Sequence, residues 1–235
     1  MAIVDLLLIV ALLLALAALA SSKVAECVRI VAAQGIAMGL LLVAAHRDDL
    51  TLQIVVLAAL TVALKGFVIP WFLFRSIREA KVQNEVEPYI GFALSVVFGA
   101  VAVAIAFALA GLLPLPLPSQ PHLIVPVSLA TVFLGMLLLV SRRKAVTQVL
   151  GYIVLENGIF IFSMSLAREL PLLIEMGVLL DIFVGAFVMG ITIYQINREF
   201  DHIDVDRLQE LSELSSRRRR IHAVHEREAS GEQDM

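Results

Sequence analysis

Residues 145–166, AVTQVLGYIVLENGIFIFSMSL, contain one charged side chain, Glu156, in an otherwise apolar and small-residue run. A bilayer core about 30 Å thick is crossed by roughly 20 helical residues, so this length and composition specify a membrane-spanning helix. The same reading recurs on either side, at residues 2–20, 26–45, 51–74, 90–113, 122–140 and 171–196. Short charged or proline-rich segments separate these runs. The chain of 235 residues is 60% hydrophobic and 17% charged, with a mean hydropathy of +0.93, which marks lipid as its solvent. The expected fold class is therefore all-α: a polytopic membrane protein of about seven transmembrane helices with a charged tail.

The first run could be mistaken for a signal peptide because Ala-Leu-Ala-Ser-Ser follows it. Asp5, the lack of a basic leading segment and the length of its apolar run favour a retained helix. Orientation follows from the loops. One set carries Lys23, Arg29, Arg75, Arg78, Lys81, Arg142, Arg143, Lys144, Arg198, Arg207 and Arg217 to Arg220, whereas the opposite set carries Arg47 and Arg168. Lys and Arg in short loops stay cytoplasmic, so the N-terminus is expected outside and the C-terminus inside.

The segment Pro114-Leu-Pro-Leu-Pro-Ser-Gln-Pro121 is expected to be a stiff outer loop, because proline fixes φ and removes a backbone donor. It divides the chain into an N-terminal four-helix segment (1–113) and a three-helix segment (122–196), followed by a cytoplasmic tail (197–235). The small residues Gly35 and Gly39, and Gly91, Ser95 and Gly99, recur every fourth position in their spans. Such spacing lets a neighbouring backbone approach, either within this chain or from another subunit.

Cys27 is the single cysteine, so an intramolecular disulfide or a multi-cysteine cluster is ruled out, and it is expected to be an ordinary packed residue. The five histidines, His46, His122, His202, His222 and His225, fall in loops or the tail, where no pair faces another across a span. No cofactor and no metal are expected in this chain. No nucleophile, metal triad or phosphate loop stands in a plausible context, and the net charge of −3 does not point to nucleic acid.

Charges within spans cost about 2.5 to 3.5 kcal/mol each on insertion scales and so need a reason to exist. Three stand at similar depth: Lys65 in the third span, Glu156 in the sixth and Asp181 in the seventh. Gln34, Asn157 and Gln148 could extend the polar chain between them. A lone carboxylate in such a medium is neutralised, whereas a nearby ammonium holds it ionised, and a site poised between the two states can pass a proton. A proton relay through Glu156, Asp181 and Lys65 is the expected chemistry; the alternative is a static polar knot that pins helices together. Glu175 lies nearer the outer surface, as a solvated group or the mouth of a path. Glu26 and Arg29 read as an interfacial pair. Gly66 and Pro70 are the faint sign of an interrupted third span that a solute transporter would need.

Residues from about 140 to 206 resemble the K-type subunit of respiratory complex I in linked features. Leu155-Glu156 follows a basic entry segment; Asp181-Ile-Phe-Val-Gly185 matches an acidic-x-x-x-Gly pattern; Gln195-Ile-Asn-Arg198 leads into a tail with Ile203-Asp204. In that subunit both acidic positions are usually Glu, implied in proton translocation, and here the second is Asp181. With four additional N-terminal helices and the ending Asn197-Arg-Glu-Phe-Asp-His-Ile-Asp-Val-Asp-Arg-Leu-Gln-Glu-Leu211, the whole chain resembles hydrogenase-4 component E. The resemblance implies a non-catalytic membrane-arm subunit of an oxidoreductase complex in a bacterial or archaeal cytoplasmic membrane, beside antiporter-like subunits, with the redox centres in other chains.

In the tail, Ile203, Leu208, Leu211 and Leu214 recur at helical spacing among charges, with Asp204 as an N-cap, which predicts a short amphipathic helix. Arg217 to Arg220 are expected to fix topology and attract anionic lipid, and residues 221–235 to be disordered. The functional expectation is proton conduction coupled to redox chemistry elsewhere. Its rivals are a stand-alone secondary transporter and a structural scaffold subunit.

Overall fold

The computed structural model describes residues 2–47, 50–79, 91–113, 122–142, 144–166 and 190. The expected seventh span apart from residue 190, with Asp181 and Glu175, the loop 114–121 and the tail 197–235 lie outside them. Within the described residues the regular elements are helices: α1 (Ala2–Ala20), α2 (Val24–Ala45), α3 (Leu52–Thr61), a π-helical stretch (Val62–Val68) that runs into α4 (Ile69–Glu79), α5 (Phe92–Leu112), α6 (Ile124–Ser141) and α7 (Ala145–Leu166). Six helical spans among the described residues are long and apolar enough to cross a membrane, with α3, the π-helical stretch and part of α4 forming one of them, Leu52–Arg75. The chain is a multi-pass membrane protein. In lipid each backbone N–H and C=O must be satisfied within the segment, which is why apolar runs of this length become helices whatever their individual propensities.

The third span is not the uniform helix that its hydropathy suggests. Its N-terminus is capped by Thr51, whose side chain accepts from Ile54 N at 3.4 Å. From Val62 to Val68 the hydrogen-bond ring widens, so that Ile69 N–H donates to Leu64 O, five residues back. Pro70 lies just beyond, with no N–H to give and a ring that would press on the carbonyl of Gly66; a widened turn before it relieves both problems. Gly66 and Pro70 were the visible trace of this turn in the sequence.

Small residues set the helix contacts. On α1 the buried face is Val4, Leu8, Ala11, Ala15, Ala18 and Leu19, an alternation of three- and four-residue steps that meets α2, α5 and α6. Helices α6 and α7 pack backbone to backbone. A Cβ added to Gly151 would lie 2.5 Å from Leu139 N, one on Gly158 would lie 2.6 Å from Val132 N, and one on Gly135 would collide with Leu155. Gly35 and Gly39 of α2 play the same part against the third span, where they face Lys65 and Val62. Gly99 packs against Leu19 and Leu134 of this chain, whereas nothing lies within 4 Å of a Cβ on Gly91. Among the described spans, α7 is the most enclosed and α5 the least.

The buried apolar residues fall into two clusters stacked along the helix axes. One contains Ala15, Ala18, Val28, Val31, Ile69, Leu134, Leu138, Ile153 and Val154. The other contains Leu8, Ala11, Ala37, Met38, Ala58, Val127, Phe160 and Ile161. Between them stand buried polar residues on four of the spans that contribute to both: Gln34 on α2, Thr61 and Lys65 on the third span, Ser128 and Thr131 on α6, Glu156 and Asn157 on α7. A polar layer thus divides the core at mid-height.

Candidate functional site

Helix α7 presents Glu156, Asn157 and Phe160 to the third span, and all three are donated to or approached by one ammonium. Lys65 Nζ lies 2.9 Å from Glu156 Oε1 and donates to Asn157 Oδ1 at 2.9 Å. It also stands 5.3 Å from the centroid of the Phe160 ring, a cation–π distance. The lysine side chain is fully enclosed and the glutamate is 3% exposed. Two charges so far from water cost several kcal/mol to desolvate, and only close pairing with further hydrogen bonds offsets about that much. Here Glu156, Asn157 and the Phe160 ring together surround the ammonium.

The network continues sideways. Asn157 Nδ2 donates to Gln34 Oε1 at 3.1 Å, and Gln34 Nε2 donates to Ala11 O at 3.1 Å, so α1, α2, α7 and the third span are tied at one level. Carboxamides neither gain nor lose protons at ordinary pH, so this branch fixes the geometry of Lys65 rather than carrying protons. The titratable groups of this network are Lys65 and Glu156. Thr61, one turn from Lys65, has a buried hydroxyl with no hydrogen-bond partner among the described residues. Ser128 and Thr131 bond their own helix, to Val125 O and Val127 O, both at 2.8 Å.

Lys65 reaches this position because of two local features. It lies within the π-helical stretch, where the side chains are rotated relative to a continuous α-helix. It is also pressed against α2 at Gly35, where a Cβ would sit 2.5 Å from its own Cβ. A larger residue there would hold the third span away from α7.

Of the groups that the sequence singled out, Lys65 and Glu156 are brought together, and Gln34 and Asn157 join them. Asp181 lies outside the described residues. Gln148 does not belong to the network: it sits near the start of α7 and donates to Arg142 O at 3.0 Å, two turns from Glu156. Glu26 pairs with Lys23 at 3.6 Å, not with Arg29, and accepts from Ser21 Oγ at 3.4 Å, because a helix-start carboxylate reaches back to the turn before it. Cys27 is packed, as expected, with its thiol donating to Ala18 O at 3.3 Å.

Arg142 was counted among the loop cations, yet it is fully buried between the α1–α2 turn and the start of α7. Its Nη2 donates to Leu19 O, and its guanidinium carbon lies 5.2 Å from the Phe92 ring centroid. Burial pushes the guanidinium below its usual value, and Cys27 nearby acts in the opposite sense. An arginine remains charged nonetheless. Neither a motif nor a periodicity marks Arg142 as a buried residue in the sequence; only the tertiary fold does.

The geometry accords with the similarities of the sequence. Residues 123–213 match the family model of NADH-ubiquinone/plastoquinone oxidoreductase chain 4L. An uncharacterized protein of Mycobacterium tuberculosis is 29% identical over 185 residues, covering 78% of this chain and 84% of that protein. Hydrogenase-4 component E of Escherichia coli K12 is 25% identical over 159 residues, covering 68% of this chain and 74% of that protein, and the protein of the same name from Shigella flexneri matches with the same figures. No solved structure matches the chain. The matched segment supplies Glu156 and Asn157, whereas Lys65, Gln34 and Gly35 come from helices that precede it. The chain is thus a multi-pass membrane protein similar to hydrogenase-4 component E, and its residues 123–213 match the chain 4L family model.

Proposed function

We propose that this chain is a non-catalytic membrane-arm subunit of a complex I-like or energy-converting hydrogenase-type redox complex, in a bacterial or archaeal cytoplasmic membrane, and that Glu156 with Lys65 forms part of its proton path. The observation that carries the reading is the enclosed Lys65–Glu156 pair, 2.9 Å apart in a polar layer between two apolar clusters. Ionisable groups inside membrane spans are costly enough that a functional role is their default explanation. The names of the relatives support the setting: one is a component of a hydrogenase, the other a chain of a quinone oxidoreductase.

The chemistry follows from the pairing. With Lys65 at contact distance Glu156 is held as a carboxylate; when the ammonium is drawn away or matched by another charge, the carboxylate takes up a proton. Asn157 and Gln34 keep Lys65 within reach during the exchange. Asp181 is assigned to the next step of the same path on the strength of the family pattern. Antiporter-like membrane subunits are the expected neighbours that receive or deliver the proton, and the redox centres belong to other chains.

The test is Glu156→Gln in the assembled complex. The glutamine keeps an acceptor oxygen for Lys65, so assembly is expected to persist while proton translocation falls. If neutralising Lys65 and Glu156 together changes neither flux nor its pH response, the pair is a structural pin and the proton role is wrong.

A further inference from the structure

Where the third span leaves the bilayer, Trp71, Phe74, Arg75 and Arg78 line an open pocket of about 300 Å³. The four residues form two i,i+4 pairs on α4, so each arginine stands one turn beyond an aromatic ring. The guanidinium of Arg75 lies 5.8 Å from the centroid of the Trp71 ring, and the edge of Trp71 meets Phe72 with centroids 4.9 Å apart. One turn deeper, Phe67 and Val68 are exposed on the same span. An exposed apolar surface therefore gives way to an indole and then to two guanidinium groups over three turns, about 5.4 Å apart.

That order of chemistry matches one kind of molecule. Acyl chains require an apolar track, Trp favours the level of the glycerol and carbonyl groups, and paired guanidinium groups bind a phosphate through several parallel hydrogen bonds. We propose that this pocket is a headgroup site for an anionic phospholipid, whose phosphate is received by Arg75 and Arg78 and whose upper acyl carbons lie along Trp71 and Phe67. An acidic protein segment would match the charge of the arginines but would leave the apolar surface of Phe67 and Val68 exposed. The site is separate from the Lys65–Glu156 pair and does not depend on its role.

Trp71 is the only tryptophan in the chain, so its fluorescence reports on this pocket alone. The full-length chain, reconstituted in phosphatidylcholine nanodiscs, is titrated with phosphatidylglycerol brominated near the headgroup, and separately with equally brominated phosphatidylcholine. Half-maximal quenching by the anionic lipid is expected at a roughly tenfold lower mole fraction, the order of preference that two interfacial cations supply. Arg75→Gln with Arg78→Gln removes the preference, and excess inorganic phosphate leaves the quenching unchanged. Equal quenching by the two lipids in the wild-type protein overturns the proposal without recourse to any variant. So does displacement of the lipid by phosphate, which would make this a site for a free anion, or the absence of quenching by either lipid, which would place protein over the pocket.

Discussion

Gly35 and Lys65 face each other so closely that a Cβ on the glycine would lie 2.5 Å from the lysine Cβ and 2.9 Å from its carbonyl carbon. The missing side chain of one residue therefore sets where the other can stand. The Lys65–Glu156 distance of 2.9 Å is a consequence of helix spacing as much as of charge.

Gly35→Ala is expected to destabilise the protein. The helical preference for alanine contributes about 1 kcal/mol in its favour, while forcing a methyl group against a neighbouring backbone costs roughly 1–3 kcal/mol, and the backbone of Lys65 cannot step aside alone. Thermal unfolding in mild detergent measures the net loss. The same variant should lower proton flux in the assembled complex, because a third span displaced from α2 no longer holds Lys65 at its present angle to α7.

Lys65→Met isolates a buried carboxylate and should cost about 3–5 kcal/mol, whereas Lys65→Met combined with Glu156→Gln should recover most of that loss. Comparing the two single variants with the double variant by equilibrium or thermal unfolding gives the coupling directly. Additive effects would show that the two side chains do not sense each other.

Arg142 closes the end of α1 by donating to Leu19 O, and its charge stays in the protein interior. Arg142→Ala should destabilise by roughly 2–4 kcal/mol, from a lost charge-assisted hydrogen bond and lost stem packing. Arg142→Lys should restore less than half, since an ammonium cannot reproduce the planar contact with Phe92 and the carbonyl together. Both are read from thermal unfolding of the detergent-solubilised chain.

The spans were legible because a bilayer imposes length and composition at once: residues 2–20 and 145–166 were readable to within a residue or two of α1 and α7. Lys65 and Glu156 were legible for the same reason, since a charge amid twenty apolar residues announces itself and its depth can be counted. What stayed hidden depends on which helices touch. Gly35 and Gly39 carried a recognisable spacing, but nothing in that spacing named Lys65 and Val62 as the surfaces opposite. Gly135, Gly151 and Gly158 bring α6 and α7 together without any such repeat. Gln148 has the composition of a network member and lies on the correct helix, yet it stands two turns from Glu156 and donates instead to the Arg142 carbonyl. The polar layer itself emerges only when five helices are aligned.

A change in the protonation of Glu156 as the complex works is read by difference infrared spectroscopy of the assembled complex at rest and during turnover. A protonated-carboxyl signal should change with turnover in the wild-type complex and be missing from Glu156→Gln, with the remaining carboxyl signals unaltered. Identical difference spectra from the two complexes, with turnover maintained, would contradict it.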